Sequence, residues 1–274
     1  MTVAYGVQDQ TVLAFDNLAP RYDELFTCSL IGRAQRGVVW DALLDTFEPG
    51  SHLLELNCGT GEDALFLAQH DMSVVGCDAS PAMVETAQRR LRAEDPEAPI
   101  EFRLLATEHL SKLNPAEPFD GAFSNFSGLN CVADLNLTAY QLGGLLSRGA
   151  PLLVCLSTRF CLWEMLWFSF RGQFRKAFRR CSGFATVTVA NFTVKVNYPT
   201  LGAVRKSFSS FFRMRSCVGI GVSVPPSYLE PIIRKYPRLL GWLASMDRVI
   251  CRLPWFRTIG DHMLIHFERI DPCY

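Results

Sequence analysis

Residues 52–80 read "HLLELNCGTGEDALFLAQHDMSVVGCDAS", and this stretch decides the fold. "SHLLELN" (51–57) is a short apolar run closed by turn residues, the pattern of a buried strand. "EDALFLAQH" (62–70) places apolar residues at 64, 65, 67 and 68, a helical spacing. "MSVVGCD" (72–78) is a second strand. One acid, Glu55, precedes the turn Asn57-Cys58-Gly59-Thr60-Gly61, and a second, Asp78, closes the next strand. Gly59-x-Gly61-x-x-Ala64 also satisfies a dinucleotide-binding fingerprint, so two ligand classes stand open at this point.

Outward from this unit the alternation continues. "SPAMVETAQRRLRAE" (80–94) begins with Ser80 as helix N-cap and Pro81 in the first turn. "IEFRLLA" (100–106), "FDGAFSNF" (119–126) and "APLLVCLST" (150–158) read as three further strands. "LNLTAYQLGGLLSRG" (135–149) reads as a helix stopped by Gly149. Such alternation builds a mostly parallel sheet with helices on both faces, whose ligands bind at the carboxyl ends of the strands. Beyond 160 the pattern changes. "FCLWEMLWFSFRGQFRKAFRR" (160–180) is aromatic and helical, and "ATVTVANFTVKVNYP" (185–199) alternates like one or two strands. "TLGAVRKSFSS" (200–210) is a short helix. "FFRMRSCVGIGV" (211–222) and "DHMLIHFERI" (261–270) are strands around a helical segment, 225–256.

The two acids weigh on the choice of ligand. Glu55, ending the first strand, would repel a pyrophosphate and attract an ammonium group. Asp78 is placed to accept hydrogen bonds from ribose hydroxyls. Asn57 stands where the chain needs an unusual backbone angle, which Asn tolerates. A ribose nucleoside joined to a cationic amino acid, S-adenosylmethionine, meets each requirement. The nicotinamide reading, an NAD(P)-dependent oxidoreductase, needs Glu55 to be harmless beside phosphate, and no Tyr-x-x-x-Lys occurs in the chain. A non-catalytic protein that binds S-adenosylmethionine is a third reading.

"LLELNCGTGEDALFLA" followed by "VVGCDASPAMVETAQ" resembles the cofactor site of class I S-adenosylmethionine-dependent methyltransferases. "AFDNLAPRYDELF" (14–26) is similar to the helix preceding that site in the small-molecule, ubiquinone/menaquinone methylase-like group. The resemblance covers residues 12–160, and more loosely the strands 211–217 and 261–269. The family usually has Gly where Asn57 stands. The resemblance implies a Rossmann-like seven-stranded sheet, mostly parallel with an antiparallel last strand, and methyl transfer to a small acceptor. It implies that Glu55 and the backbone of Asn57, Cys58, Gly59, Thr60 and Gly61 hold the methionine part. Asp78 would bind the ribose, with Ala79 and Met83 against the adenine. Thr107 and Glu108 would serve the adenine amino group, Asn125 and Phe126 would flank the methyl donor, and Tyr22 would close over the cofactor. Met83 equally suits helix packing, Tyr22 an amphipathic core position, and Thr107, Glu108 and Asn125 polar loops.

In this topology, 159–210 and 218–260 leave and return at the ligand edge of a single domain spanning 1–274, so both are expected as a roof on the substrate side. His262 would open the last strand near the methyl group, as a base or substrate-orienting group; the alternative is a turn-end histidine bonded to Asp261 or to backbone. Trp163, Trp167, Phe170 and Arg175 are the candidate substrate-side residues.

Composition limits the remaining classes. Nearly half of the 274 residues are apolar, enough for a large core. No run of apolar residues is long enough to span a membrane, and the N-terminus lacks the basic head and apolar run of a signal peptide. The ten cysteines include no C-x-x-C pair and suit buried reduced thiols in a cytoplasmic protein. No Ser-His-Asp or metal-ligand spacing occurs, and no metal is expected. The net charge of zero conceals segregation: residues 1–164 carry −12, and 165–229 carry ten bases and no acid. In 160–180, Trp163, Leu166, Phe170, Phe174 and Phe178 recur at helical spacing, with Arg171, Arg175, Lys176, Arg179 and Arg180 at the far end. Aromatic surface beside cations suits an amphiphilic or anionic acceptor, or peripheral contact with an anionic membrane, and not nucleic acid, whose readers interleave aromatic and basic residues. The alternative is that the basic sector only neutralises the acidic half.

Overall fold

The structure, a computed structural model, describes residues 7–271. Cys273 and the first six residues, part of the signal-peptide reading, lie outside the described residues. The chain opens with α1 (Val7–Tyr22), a π-helical turn over Asp23–Thr27, and α2 (Leu30–Leu44). The alternating part follows: β1 (His52–Leu56), α3 (Glu62–Ala68), β2 (Ser73–Asp78), α4 (Pro81–Glu94), β3 (Ile100–Leu104), β4 (Gly121–Ser124), α5 (Leu135–Leu145) and β5 (Pro151–Ser157). Then come α6 (Leu162–Phe170), α7 (Phe174–Ala177), the strands β6 (Phe184–Val189) and β7 (Phe192–Asn197), α8 (Leu201–Phe208) and β8 (Phe212–Ile220). The last elements are α9 (Glu230–Ile233), α10 (Pro237–Ile250) and β9 (His262–Arg269).

Seven strands form one sheet in the order β3-β2-β1-β4-β5-β9-β8. β1 to β5 run parallel, and β9 inserts antiparallel between β5 and β8. The order runs outward from β1 in one direction and from β4 in the other. The crevice between their carboxyl ends is therefore the topological switch point where such sheets bind ligands. β6 and β7 pair apart from the sheet as a hairpin whose two turn residues, Ala190 and Asn191, have φ of 46° and 70°.

Strand alternation divides the core. Leu54 and Leu56 face one side of the sheet with Ala122, Leu152 and Val154, against α5 and α8. Leu53 faces the other side with Val74, Phe123 and Leu153, against α2 and α3. Glu55 shares parity with Leu53, so its carboxylate is carried toward α2 and α3 rather than into the first core.

α4 begins as its residues dictate: the Ser80 hydroxyl accepts from the Met83 N–H at 3.1 Å, and Pro81 occupies the first turn. Two helices differ from expectation. α5 ends at Leu145, before Gly149, because Leu146 is extended (φ −98°, ψ 145°) and bridges Phe119 in parallel. The aromatic helix over 160–180 is broken at Gly172, whose φ of 67° is left-handed, giving α6 and α7. Trp163 and Trp167 of α6 join Ile31 of α2 with Leu229, Ile233 and Leu240 in a third apolar cluster, which seats the two insertions on α2.

Candidate active site

The turn after β1 takes three left-handed backbone angles. Asn57 adopts φ 55°, Gly59 φ 54° and Gly61 φ 78°. A Cβ on Gly61 would lie 2.6 Å from the Phe102 ring, so both backbone angle and space require glycine there. A Cβ on Gly128, after β4, would lie 2.4 Å from Asn57 Cβ, so the turns after β1 and β4 are in direct contact. Asn57 Oδ1 lies 3.4 Å from the hydroxyls of both Thr107 and Ser124, which donate to it.

Asp78 ends β2 beside this turn. Its carboxylate accepts the Gly59 N–H and the Ser80 N–H, each at 2.9 Å. Burial raises its pKa, and the backbone N–H groups oppose that rise. Glu55 is 2% exposed, and its Oε2 has no hydrogen-bond partner. Burial, with Asp63 nearby, pushes its carboxyl well above the ordinary range. Asp63, at the start of α3, has partners on every side: Arg36 of α2 pairs with it, Trp40 Nε1 donates at 2.7 Å and Asn125 Nδ2 at 3.0 Å. Arg36 also lies over the Phe126 ring, 4.8 Å from its centroid.

A cavity of about 210 Å³ opens above these groups. Its polar side is formed by Asn57, Gly59, Asp78, Ala79, Asn125 and Ser127. Its apolar side includes Val12 and Phe15 of α1, Met83 of α4, Phe126 and Val196 of β7. A smaller adjoining hollow shares Tyr22, Asn57, Gly59, Asn125 and Phe126, and reaches Glu55, Cys58 and Thr60. The cover, α1 with the π turn that follows it, is pinned at both ends of the site. Asp16 accepts from Ser80 Oγ (2.5 Å) and the Ala82 N–H (3.1 Å). Asp23 accepts from Thr60 Oγ1 (2.7 Å) and Arg90 Nη2 (2.5 Å). The π turn begins at Asp23, next to Tyr22, whose phenol is pushed up to about 12 by burial.

The structure thus brings Tyr22, Glu55, Asn57, Cys58, Gly59, Thr60, Asp78, Ala79, Met83, Asn125 and Phe126 to one site. Gly61 stands behind it, packed on Phe102 and Ala87. Thr107 and Glu108 line neither hollow: Thr107 braces Asn57, and the Glu108 carbonyl accepts from Gln141 Nε2 at 3.0 Å. His262 is buried and does not line the cavity; its ring meets the edge of Phe126 at 5.6 Å. Its Nδ1 stands 3.7 Å from Asp261, and burial lowers its pKa, so it is held neutral. Trp163, Trp167, Phe170 and Arg175 also lie off the cavity. Trp163 Nε1 donates to the Ser223 carbonyl at 3.0 Å, Arg171 stacks on Trp167, and Phe170 and Arg175 face solvent. The insertion reaches the cavity through β7 instead, at Val196. The sequence reading missed Val12, Phe15, Arg36 and Asp63; Asp63 had a visible signal, an acid in the first turn of the helix after the glycine turn.

Residues 53–142 match the model of a family described as "Methyltransferase domain". This segment is a methyltransferase domain. S-adenosylmethionine is the cofactor that the sequence resemblance implies for such a domain. Over 142 residues the chain is 30% identical to a 2-phytyl-1,4-naphtoquinone methyltransferase of Trichormus variabilis, covering 50% of this chain and 59% of that one. Over 76 residues it is 40% identical to an S-adenosyl-L-methionine-dependent Diels-Alderase of Talaromyces variabilis, covering 27% and 26%. The chain therefore spans less than two thirds of either relative. The fold matches the crystal structure of a putative S-adenosylmethionine-dependent methyltransferase from Listeria monocytogenes, with TM-score 0.59, 15% identity, and coverage of 87% of this chain and 98% of that one. The matched residues end within α5, so the third cluster and the hairpin lie outside them.

The site fits this cofactor on its own observations. The unpartnered, buried Glu55 Oε2 suits an ammonium group. Asp78, pinned by two backbone N–H groups, presents acceptors for ribose hydroxyls. Phe15 and Met83 supply an apolar wall for a base. Among the described residues no cluster of three or more His, Cys, Asp or Glu side chains is arranged to hold a metal ion, and no helix is long and apolar enough to cross a membrane.

Proposed function

We propose that this chain transfers the methyl group of S-adenosylmethionine to a small, hydrophobic or amphiphilic acceptor. The observation that carries the reading is the pair of carboxylates, Glu55 buried and Asp78 half-buried, on either side of the turn Asn57–Gly61 at the switch point of the sheet. The bound cofactor supplies an activated methyl group, and the chain's task is to bind, align and exclude water. Glu55 holds the cationic end, Asp78 the ribose, and Asn125 and Phe126 set the wall past which the acceptor approaches. α1, with Val12 and Phe15, forms one wall of the cavity. Phe126, not His262, faces the cavity, and an acceptor that is already nucleophilic needs no base.

The apolar wall supports a lipid-like acceptor. The naphthoquinone named for the Trichormus relative, with its phytyl chain, is an acceptor of this type. The Diels-Alderase likeness favours a second reading, in which the cofactor is kept and the chemistry on the acceptor is not methylation. Calorimetric titration with S-adenosylmethionine and with NADH tests the cofactor. Radiolabelled methyl transfer to a lipid extract separates the two readings: cofactor binding without transferred label supports the second.

A further inference from the structure

Between Glu164 and Asp261 lie sixteen Lys and Arg residues and only two acids, Glu230 and Asp247. All four of these carboxylates are buried, and each is used internally. Glu164 binds Arg179 and Arg180, and Asp261 binds Arg180. Glu230 accepts the N–H groups of Leu30 and Ile31, and Asp247 those of Gly221 and Ser223. Two of the clustered arginines are thereby neutralised, but the outer surface of the two insertions displays bases and no carboxylate. Arg175, Lys176 and Lys195 are exposed there and form no ion pair among the described residues.

The two insertions also carry many exposed apolar side chains. Among the described residues, fifteen of the twenty exposed large hydrophobic residues fall between Phe160 and Trp255, concentrating them on the insertions. Phe170 is 89% exposed, Phe174 62% and Trp242 61%. Monomeric soluble proteins rarely leave such residues grouped in water. Cations sit on neighbouring rings: Lys176 Nζ is 5.8 Å from the Phe168 centroid and Lys195 Nζ 5.2 Å from that of Phe184.

We propose that this face docks on the surface of an anionic lipid bilayer. Projecting aromatic residues partition into the interfacial layer, and unpaired cations meet the negative surface potential. Charge selects this occupant: a second copy laid face to face would oppose cation to cation with no acid on either side. Docking also orients the site. Val196 of β7 lines the cavity, while the adjacent Lys195 points outward over Phe184. One hairpin therefore belongs to both the docking face and the cavity wall. That it helps an acceptor pass from lipid to cavity rests on the methyl-transfer reading; the docking itself does not.

The test is flotation of the full chain, without cofactor, on phosphatidylcholine vesicles and on mixed phosphatidylcholine–phosphatidylglycerol vesicles, at low and high salt. The expected result is binding to the mixed vesicles, weakened by salt. R175Q/K176Q, two exposed changes, should lower that partitioning about 30-fold, at ~1 kcal/mol for each base. F170S/F174S should weaken binding to both vesicle types, with circular dichroism confirming the fold. Equal binding to neutral and anionic vesicles, or R175Q/K176Q binding like the parent, overturns the proposal. So does light scattering that shows a dimer dispersed by F170S/F174S with no vesicle binding, or RNA bound in preference to vesicles. Failed flotation leaves cofactor binding by calorimetry untouched, and the reverse also holds.

Discussion

Asp78→Ala separates two roles of one carboxylate. In the unbound protein that group accepts the N–H of Gly59 and of Ser80, each at 2.9 Å. Removing it leaves two turn donors without their acceptor, at roughly 1–3 kcal/mol each. The melting temperature should fall by about 5 °C or more. In the bound protein the same change also removes a charge-assisted contact to ribose, worth on the order of 1.5–3 kcal/mol. That corresponds to a dissociation constant raised ~10- to 150-fold. Calorimetry with S-adenosylmethionine, at a temperature where melting curves show both proteins folded, reads the second effect apart from the first. Asp78→Asn refines it. Its amide oxygen can keep one backbone N–H, but its NH₂ must face the other, so it should be intermediate in stability and weak in binding. If the alanine variant melted lower yet bound the cofactor as tightly as the parent, Asp78 would be a turn residue and the ribose assignment would be wrong.

Glu55 gives a pH prediction. Burial raises its pKa, while a bound ammonium favours the ionised form; cofactor binding should release a proton, and affinity should rise as pH passes through the raised pKa. Calorimetry in buffers of different ionisation enthalpy measures the proton, and Glu55→Gln should abolish both it and the pH dependence. For the unbound protein the sign reverses: ionising Glu55 costs stability as pH rises, so the Gln variant should gain over the parent in alkaline melts. Gly61→Ala, with φ 78° and a Cβ 2.6 Å from Phe102, should lose roughly 1–3 kcal/mol in urea denaturation. Arg36→Met leaves Asp63 buried without its ion-pair partner and should cost ~3–5 kcal/mol by the same measurement. His262→Asn should keep the parent's pH profile of turnover between about pH 6 and 9; a displaced profile would give His262 a part in the chemistry.

The sheet was legible because its parallel strands are short apolar runs closed by turn residues, and Glu55, Asp78 and the glycine turn fall within one local stretch. The end of α5 was not, because Leu146 is apolar in helix or strand alike, and its pairing with Phe119 is a long-range event. The Arg36–Asp63 pair joins residues whose separate signals are those of ordinary helix surface. Val12 and Phe15 become cavity wall only when α1 folds over the sheet. The acid-free stretch was legible as composition but not as surface: it begins one residue after Glu164, the buried acid that takes up Arg179 and Arg180. Counting charge along the chain could not divide those two from Arg175 and Lys176, which remain in water.

α1 packs against both α4 and the hairpin strand β7, and is tied to the site through its own Asp16 and through Asp23 of the π turn that follows. On the methyl-transfer reading, release of the spent cofactor beneath it would be eased by breaking those polar ties, and the same movement would slacken the wall that carries Val196. Departure of the two products would thereby be kinetically linked rather than independent. Loosening the clasp, as in Asp16→Ala, should speed release of S-adenosylhomocysteine in stopped-flow traces while weakening retention of the methyl donor, so that turnover and commitment to catalysis move in opposite directions.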